Sequence, residues 1–101
     1  MSGVDELTPE EVRVRLASDA AFDLVDIRSR EDFADAPIDG AENVPVDELE
    51  SVVEEREWAD EVVVSCYVGE TSVQAARLID HYADDADVAS MAGGYEAWDE
   101  S

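Results

Sequence analysis

The 101-residue chain has no lysine, one cysteine and one histidine. Each scarcity closes off a class of function. A single cysteine, Cys66, leaves no intramolecular disulfide and no zinc site built from paired cysteines, and His81 brings no second ligand near it in sequence. No metal and no cofactor is therefore expected. Six arginines stand against 28 acidic residues, for a formal net charge of -22. That balance excludes ordinary nucleic-acid binding, because phosphate backbones are held by cations, and it excludes docking by charge on anionic lipid. Long apolar runs are missing too: stretches such as residues 20–22 and 62–64 are three residues long. A membrane-spanning helix needs about 20, and a secretory h-region about 7–15. The start of the chain carries no basic leader and no lipidation motif. The expectation is a soluble, cytoplasmic protein of one domain over residues 1–101, monomeric because no exposed apolar stripe stands out.

The charge itself has two physical readings. High net charge opposes collapse and favours disorder. A folded chain can carry it in concentrated salt, where the Debye length falls to about 3 Å at 1 M and self-repulsion is screened. An apolar fraction of 46%, with two tryptophans and several Val/Ile/Leu clusters, argues for the folded reading. Dense Asp and Glu without lysine resembles the proteins of salt-accumulating halophilic archaea. A mesophilic protein with an acidic docking face is the alternative.

Strand-like and helix-like segments alternate along the chain. Residues 5–7 read as a short opening strand. Thr8, Pro9 and Glu11 predict a helix start, with Thr8 as N-cap, Pro9 in the first helical position and Glu11 closing a capping box. Val12 and Leu16 lie on one face of that helix. Residues 22–27 read as a strand, 29–35 as a short helix beginning at Ser29, and 36–43 as a loop containing Pro37 and Gly40. Residues 45–56 read as an acidic helix with Leu49, Val52 and Val53 on its apolar face. The β-branched run Val62-Val63-Val64 suits a central strand of a parallel sheet, buried on both faces. A helix is expected over 72–83, with Ala75, Leu78, Ile79 and Tyr82 on one face. Residues 87–91 read as a last strand. Gly93 and Gly94 break the chain before a final helical turn at 95–98. The alternation predicts an α/β fold with a mostly parallel sheet.

Cys66 falls directly after the most strand-like segment, in Cys66-Tyr67-Val68-Gly69-Glu70-Thr71-Ser72, where a helix follows. In open α/β folds, ligands bind at the carboxyl ends of strands. Gly69 can take the positive φ that a tight loop requires. Loop N–H groups curled round the sulfur, together with the helix N-terminus, would stabilise a thiolate against the acidic surroundings. The Thr71 and Ser72 hydroxyls would either bond the sulfur or cap the helix. From the residues alone, a nucleophile and a buried core cysteine both remain open. Other cysteine chemistries fit less well. A thioredoxin-type pair needs a second cysteine three residues away, where Val63 and Gly69 stand. A tyrosine-phosphatase loop needs arginine at the position held by Ser72, to clamp a phosphate dianion. A Cys-His protease needs a nearby imidazole, and His81 lies more than two helical turns beyond Ser72 and reads as a surface residue.

Three blocks of sequence resemble the single-domain rhodanese-like sulfurtransferases. The first is Leu24-Val25-Asp26-Ile27-Arg28, Glu31-Asp32-Phe33, Ile38, Gly40-Ala41 and Asn43-Val44-Pro45. It is similar to that family's D-[VI]-R, E-[FY] and G-H-I-P-G-A-x-N-[IV]-P block. The second is the Cys66–Ser72 segment with Ala75-Ala76 and Leu78 behind it, similar to the C-x-x-G-x-[RST]-S loop and helix. The third is Ala92-Gly93-Gly94-Tyr95-Glu96-Ala97-Trp98, similar to the closing G-G-[YFW]-x-x-W. Together they span nearly the whole chain.

The resemblance implies a central, mainly parallel sheet of about five strands flanked by helices on both faces. It implies a sulfurtransferase in which Cys66 takes the sulfane sulfur of a donor, becomes a persulfide and passes that sulfur to a thiol or cyanide by covalent ping-pong catalysis. The loop residues Tyr67, Val68, Gly69, Glu70, Thr71 and Ser72 would stabilise the sulfur's charge through their amides and hydroxyls. Asp26 and Arg28 match supporting positions, with Arg28 expected to pair with an acid such as Glu31. Trp98, Gly93 and Gly94 match structural positions. The partner implied is a small-molecule sulfur donor or a persulfide-carrying protein.

Two departures from the pattern stand out. Thr71 stands where many members carry arginine, and the block Ala36-Pro37-Ile38-Asp39-Gly40 lacks the usual histidine. Arg77 is the candidate anion contact, with Arg28 and Arg30 as others. A field this negative should slow encounter with thiosulfate at low salt, so a persulfide donor is the expectation. The alternative function is a non-catalytic rhodanese-like interaction or regulatory module.

Overall fold

The computed structural model describes residues 4–18, 22–38, 40–67, 71–83 and 85–100. Its first helix begins where the sequence reading puts it. Strand β1 (Asp5–Leu7) leads into α1 (Pro9–Leu16). The Thr8 hydroxyl accepts the Glu11 N–H at 3.2 Å, and the Glu11 carboxylate accepts the Thr8 N–H at 3.0 Å. Both ends of the capping box are thus closed. Hydrogen bonding to the carboxylate from Thr8, the backbone N–H foremost, holds the Glu11 carboxyl below the usual carboxylate range.

β2 (Phe22–Asp26) is followed by α2 (Arg30–Asp35), capped by the Ser29 hydroxyl, which accepts the Asp32 N–H at 3.2 Å. β3 (Ala41–Asn43) corrects the expected loop, because it pairs in parallel with residues 24–26 of β2. Three residues reading Ala-Glu-Asn at a sheet edge give no alternation to detect. α3 (Val46–Val52) is shorter than the expected helix. The chain turns after it, and the Trp58 indole donates to the Val53 carbonyl at 3.2 Å, occupying an acceptor near the helix end. Leu49 and Val53 are buried as expected, whereas Val52 is exposed. β4 (Glu61–Ser65), α4 (Thr71–Tyr82), β5 (Asp87–Met91) and α5 (Gly94–Glu100) complete the order. On α4, Ala75 and Ile79 are buried and Leu78 is half-buried, but Tyr82 is exposed, meeting His81 edge-on at 5.0 Å.

The five strands form one sheet in the order β1-β5-β4-β2-β3, with every pairing parallel. β4 lies at its centre, and Val62, Val63 and Val64 are buried on both faces. Side-chain alternation divides the core in two. Val25, Val62, Val64 and Val88 pack with Leu49 and Val53 from α3 and its end, and with Ala75, Ala76 and Ile79 of α4. Leu24, Val63, Ala89 and Met91 pack on the other side with Val12 and Leu16 of α1 and Tyr95 and Trp98 of α5. Helices therefore cover both faces. Arg13 joins α1 to α5, its guanidinium 3.9 Å from the Trp98 ring centre and donating to the Trp98 carbonyl at 3.0 Å. No described helix is long and apolar enough to cross a membrane.

Candidate active site at the end of the central strand

Cys66 is the first residue after β4, at the carboxyl edge of the sheet. It packs among core residues at 3% exposure. Its sulfur nevertheless has a polar neighbour: the backbone N–H of Ser72, in the first turn of α4, points at Sγ at 3.4 Å. An N–H aimed at sulfur from a helix N-terminus favours the thiolate over the thiol. The Ser72 hydroxyl does neither of the two things expected of it. It pairs with the Ser90 hydroxyl of β5 at 2.6 Å, both groups fully buried, so the two satisfy each other beneath the helix start. Ser90 was not legible as a site residue, although a serine between Ala89 and Met91 in an apolar strand is its only trace. Thr71, the first residue of α4, is exposed. Val68, Gly69 and Glu70, also expected in the loop, lie outside the described residues.

The carbonyls on either side of the Cys66–Tyr67 link are taken by α5. The Tyr95 N–H donates to the Cys66 carbonyl at 2.7 Å, and the Glu96 N–H donates to the Tyr67 carbonyl at 3.1 Å. These donors are orphans of a helix N-terminus. The approach is close because Gly94 has no side chain: a Cβ there would lie 2.5 Å from the Cys66 carbonyl oxygen and 2.7 Å from the Tyr67 carbonyl carbon. Gly94 also sits at φ +57°, in the left-handed region. One helix start thus presents an N–H to the sulfur, and another holds the adjoining carbonyls.

Asp26 and Arg28 meet below this link, but Glu31 is not the partner. The chain bends after β2, and Arg28 turns inward to Asp26. Its Nη2 donates to Asp26 Oδ2 at 2.7 Å, its Nε contacts both carboxylate oxygens at 3.0 and 3.1 Å, and its own backbone N–H bonds Oδ1 at 2.9 Å. Both side chains are almost fully buried. A second bond, from Nη2 to the Ala36 carbonyl at 2.7 Å, ties Arg28 to the end of α2. The guanidinium lies 4.2 Å from the Tyr95 ring centre. The pair therefore braces the residue whose N–H holds the Cys66 carbonyl. Arg30 is bound to Glu48 of α3. Arg77 is exposed on α4, outside the buried stripe of Ser72, Ala75, Ala76 and Ile79. Beside α4, a groove of about 240 Å³ runs against α3, lined by Val46, Leu49, Thr71, Gln74, Ala75 and Leu78.

A cysteine at the carboxyl end of the central strand of a parallel sheet, facing the start of the next helix, defines an α/β protein of the strand–loop–helix cysteine class. The chain belongs to the rhodanese-like family, whose Rhodanese-like domain matches residues 8–101. It is 33% identical over 88 residues to the thiosulfate sulfurtransferase GlpE of Shewanella oneidensis, covering 87% of this chain and 86% of that one. It is 34% identical over 112 aligned positions to the human thiosulfate:glutathione sulfurtransferase, covering 97% and 96%. The solved human single-domain sulfurtransferase TSTD1 superposes with a TM-score of 0.83 at 31% identity, covering 97% of each chain. A longer relative also matches, YrkF of Bacillus subtilis, at 30% identity over 78 residues; the chain spans 42% of its length.

Proposed function

We propose that the protein is a sulfurtransferase with Cys66 as its nucleophile. The Cys66 thiolate attacks the sulfane sulfur of a donor, either thiosulfate or a persulfide. A new S–S bond forms to Cys66 as the donor's own bond to that sulfur breaks. The electron pair of the broken bond leaves with sulfite or with the donor thiolate. An acceptor thiolate or cyanide then attacks the outer sulfur, carries it away and regenerates the Cys66 thiolate. No external oxidant or reductant is needed. The observation that carries this reading is the Ser72 N–H directed at Sγ from the start of α4. The names of the Shewanella and human relatives support it. In this role the loop from Tyr67 to Ser72 stabilises sulfur charge, Asp26 and Arg28 hold Tyr95 in place, and no metal or cofactor takes part.

The donor preference follows from the cations. Arg15 is paired with Glu61, Arg28 with Asp26, Arg30 with Glu48 and Arg56 with Glu42, and Arg13 donates to the Trp98 carbonyl, which leaves Arg77 as the described arginine with no ion pair or hydrogen bond to a carboxylate or carbonyl. A dianion meets a surface of net charge -22 with little to receive it. A persulfide is therefore the better donor at low salt, and thiosulfate gains as salt rises. Intact-protein mass spectrometry in molar salt tests the reading, after incubation with thiosulfate and, separately, with a small persulfide. The expected result is a gain of one sulfur atom, reversed by thiol and absent in Cys66→Ser. No gain with either donor from folded protein would overturn the proposal and favour an interaction module.

A further inference from the structure

Tyr67 follows the nucleophile, yet its side chain belongs to neither core cluster and is 46% exposed. It reaches away from the loop to the first turn of α2. There the phenol donates to the Asp32 carboxylate, and the same oxygen accepts the Ser29 N–H at 3.4 Å. Asp32 and Ser29 are already joined by the helix cap, through the Asp32 N–H and the Ser29 hydroxyl at 3.2 Å. The three residues thus close a ring of hydrogen bonds. Its base is fixed, because Arg28 grips both the buried Asp26 and the Ala36 carbonyl at the far end of α2. The Cys66–Tyr67 link is held from two directions: α5 takes its carbonyls, and α2 takes the Tyr67 ring.

We infer that Tyr67 is a positioning residue: by mooring its hydroxyl to Asp32 and Ser29, it keeps the Cys66 sulfur aligned with the Ser72 N–H. The inference rests on Cys66 being the nucleophile. A half-exposed side chain outside both core clusters adds little to the packing of the fold, so the effect of the contact falls on the Cys66–Tyr67 link. When the mooring is lost, the loop spends part of its time with Sγ turned off the Ser72 amide, and the thiolate is less favoured.

The test is the pH dependence of Cys66 alkylation by iodoacetamide, a neutral reagent that the protein's charge does not steer, on the full chain in molar salt. Circular dichroism verifies folding of each variant. Tyr67→Phe is expected to move the titration to higher pH and to slow alkylation about threefold to tenfold below the midpoint, the range that one hydrogen bond controls. Asp32→Asn keeps an acceptor for the phenol and is expected to produce no upward shift. In an Asp32→Ala background only the longer Ser29 N–H contact of the mooring remains, so adding Tyr67→Phe is expected to change much less than it does in the parent. A folded Tyr67→Phe protein with the parental titration would overturn the inference. So would a Tyr67→Phe effect of equal size in both backgrounds. Alkylation does not require sulfur transfer. A shifted titration in a protein that accepts no sulfur from any donor would therefore sink the proposed function and leave the mooring standing.

Discussion

Gly94→Ala should pry α5 off the Cys66 loop. Two costs add at this position. At φ +57° an L-residue is worse than glycine by about 1 kcal/mol. The new Cβ would also stand 2.5 Å from the Cys66 carbonyl oxygen and 2.7 Å from the Tyr67 carbonyl carbon. Both are main-chain atoms, so no side-chain rotation relieves the clash. The helix start must withdraw, and the bonds from Tyr95 and Glu96, now 2.7 and 3.1 Å, stretch or break. At about 1 kcal/mol each, their loss brings the total to about 3 kcal/mol. A domain of this length has roughly 5–15 kcal/mol in hand, so the variant should fold in molar salt with a lower urea midpoint. Its rate of persulfide formation should fall more than tenfold, because the Cys66 carbonyl is no longer held. Gly93→Ala provides the contrast. There φ is +74° and the clash, 2.5 Å, is with the Ala97 side chain. Ala97→Gly should recover part of the Gly93→Ala loss, whereas no trimming of a side chain should rescue Gly94→Ala. A Gly94→Ala protein within about 0.5 kcal/mol of the parent and equally fast in persulfide formation would refute the reasoning.

Three further outcomes follow from the same contacts. Arg28→Leu strands a fully buried Asp26 carboxylate, and urea titration should show a loss of about 3–5 kcal/mol. Glu42 is held below the usual carboxylate range chiefly by hydrogen bonds from Arg56. A carboxyl lowered by folding stabilises above its unfolded value and loses that contribution as pH falls through its folded value. The stability difference between parent and Glu42→Gln should therefore be constant above about pH 5 and fade on acidification; urea midpoints from pH 6 down to pH 3 that keep a constant gap would contradict it. With a net charge of -22, the fold should loosen at low ionic strength and recover in molar salt, and far-UV circular dichroism unchanged across that range would disprove it.

Local signals were legible and long-range ones were not. The capping box of Thr8 and Glu11 and the Ser29 cap declare themselves within four residues. The three valines of β4 announce a strand buried on both faces, and the placement of Cys66 at its end follows directly. β3 escaped because it is stabilised by β2 and not by its own pattern; the Asn43 amide, bonded to the Asp26 and Arg28 carbonyls at 3.0 and 2.9 Å, does as much for it as its apolar content. Along the sequence, Arg28 is expected to pair with an acid such as Glu31. Arg28 precedes α2, and the bend after β2 brings Asp26 to it instead. The contact of Tyr67 with Asp32 spans 35 residues, and that of Ser72 with Ser90 spans 18. Nothing periodic links such positions.

The grip of α5 on the Cys66 carbonyl also sets an order of events during translation. Ribosomes release the chain from its N-terminus, at about 5–20 residues per second. Cys66 therefore emerges well before Tyr95 and Glu96, the residues that fasten its loop. Strand β1 waits even longer for its partner, since its ladder is formed with β5. Until the last helix closes over the sheet, the carbonyls beside Cys66 are unfastened, and only that closure fixes the strand end that carries the thiol.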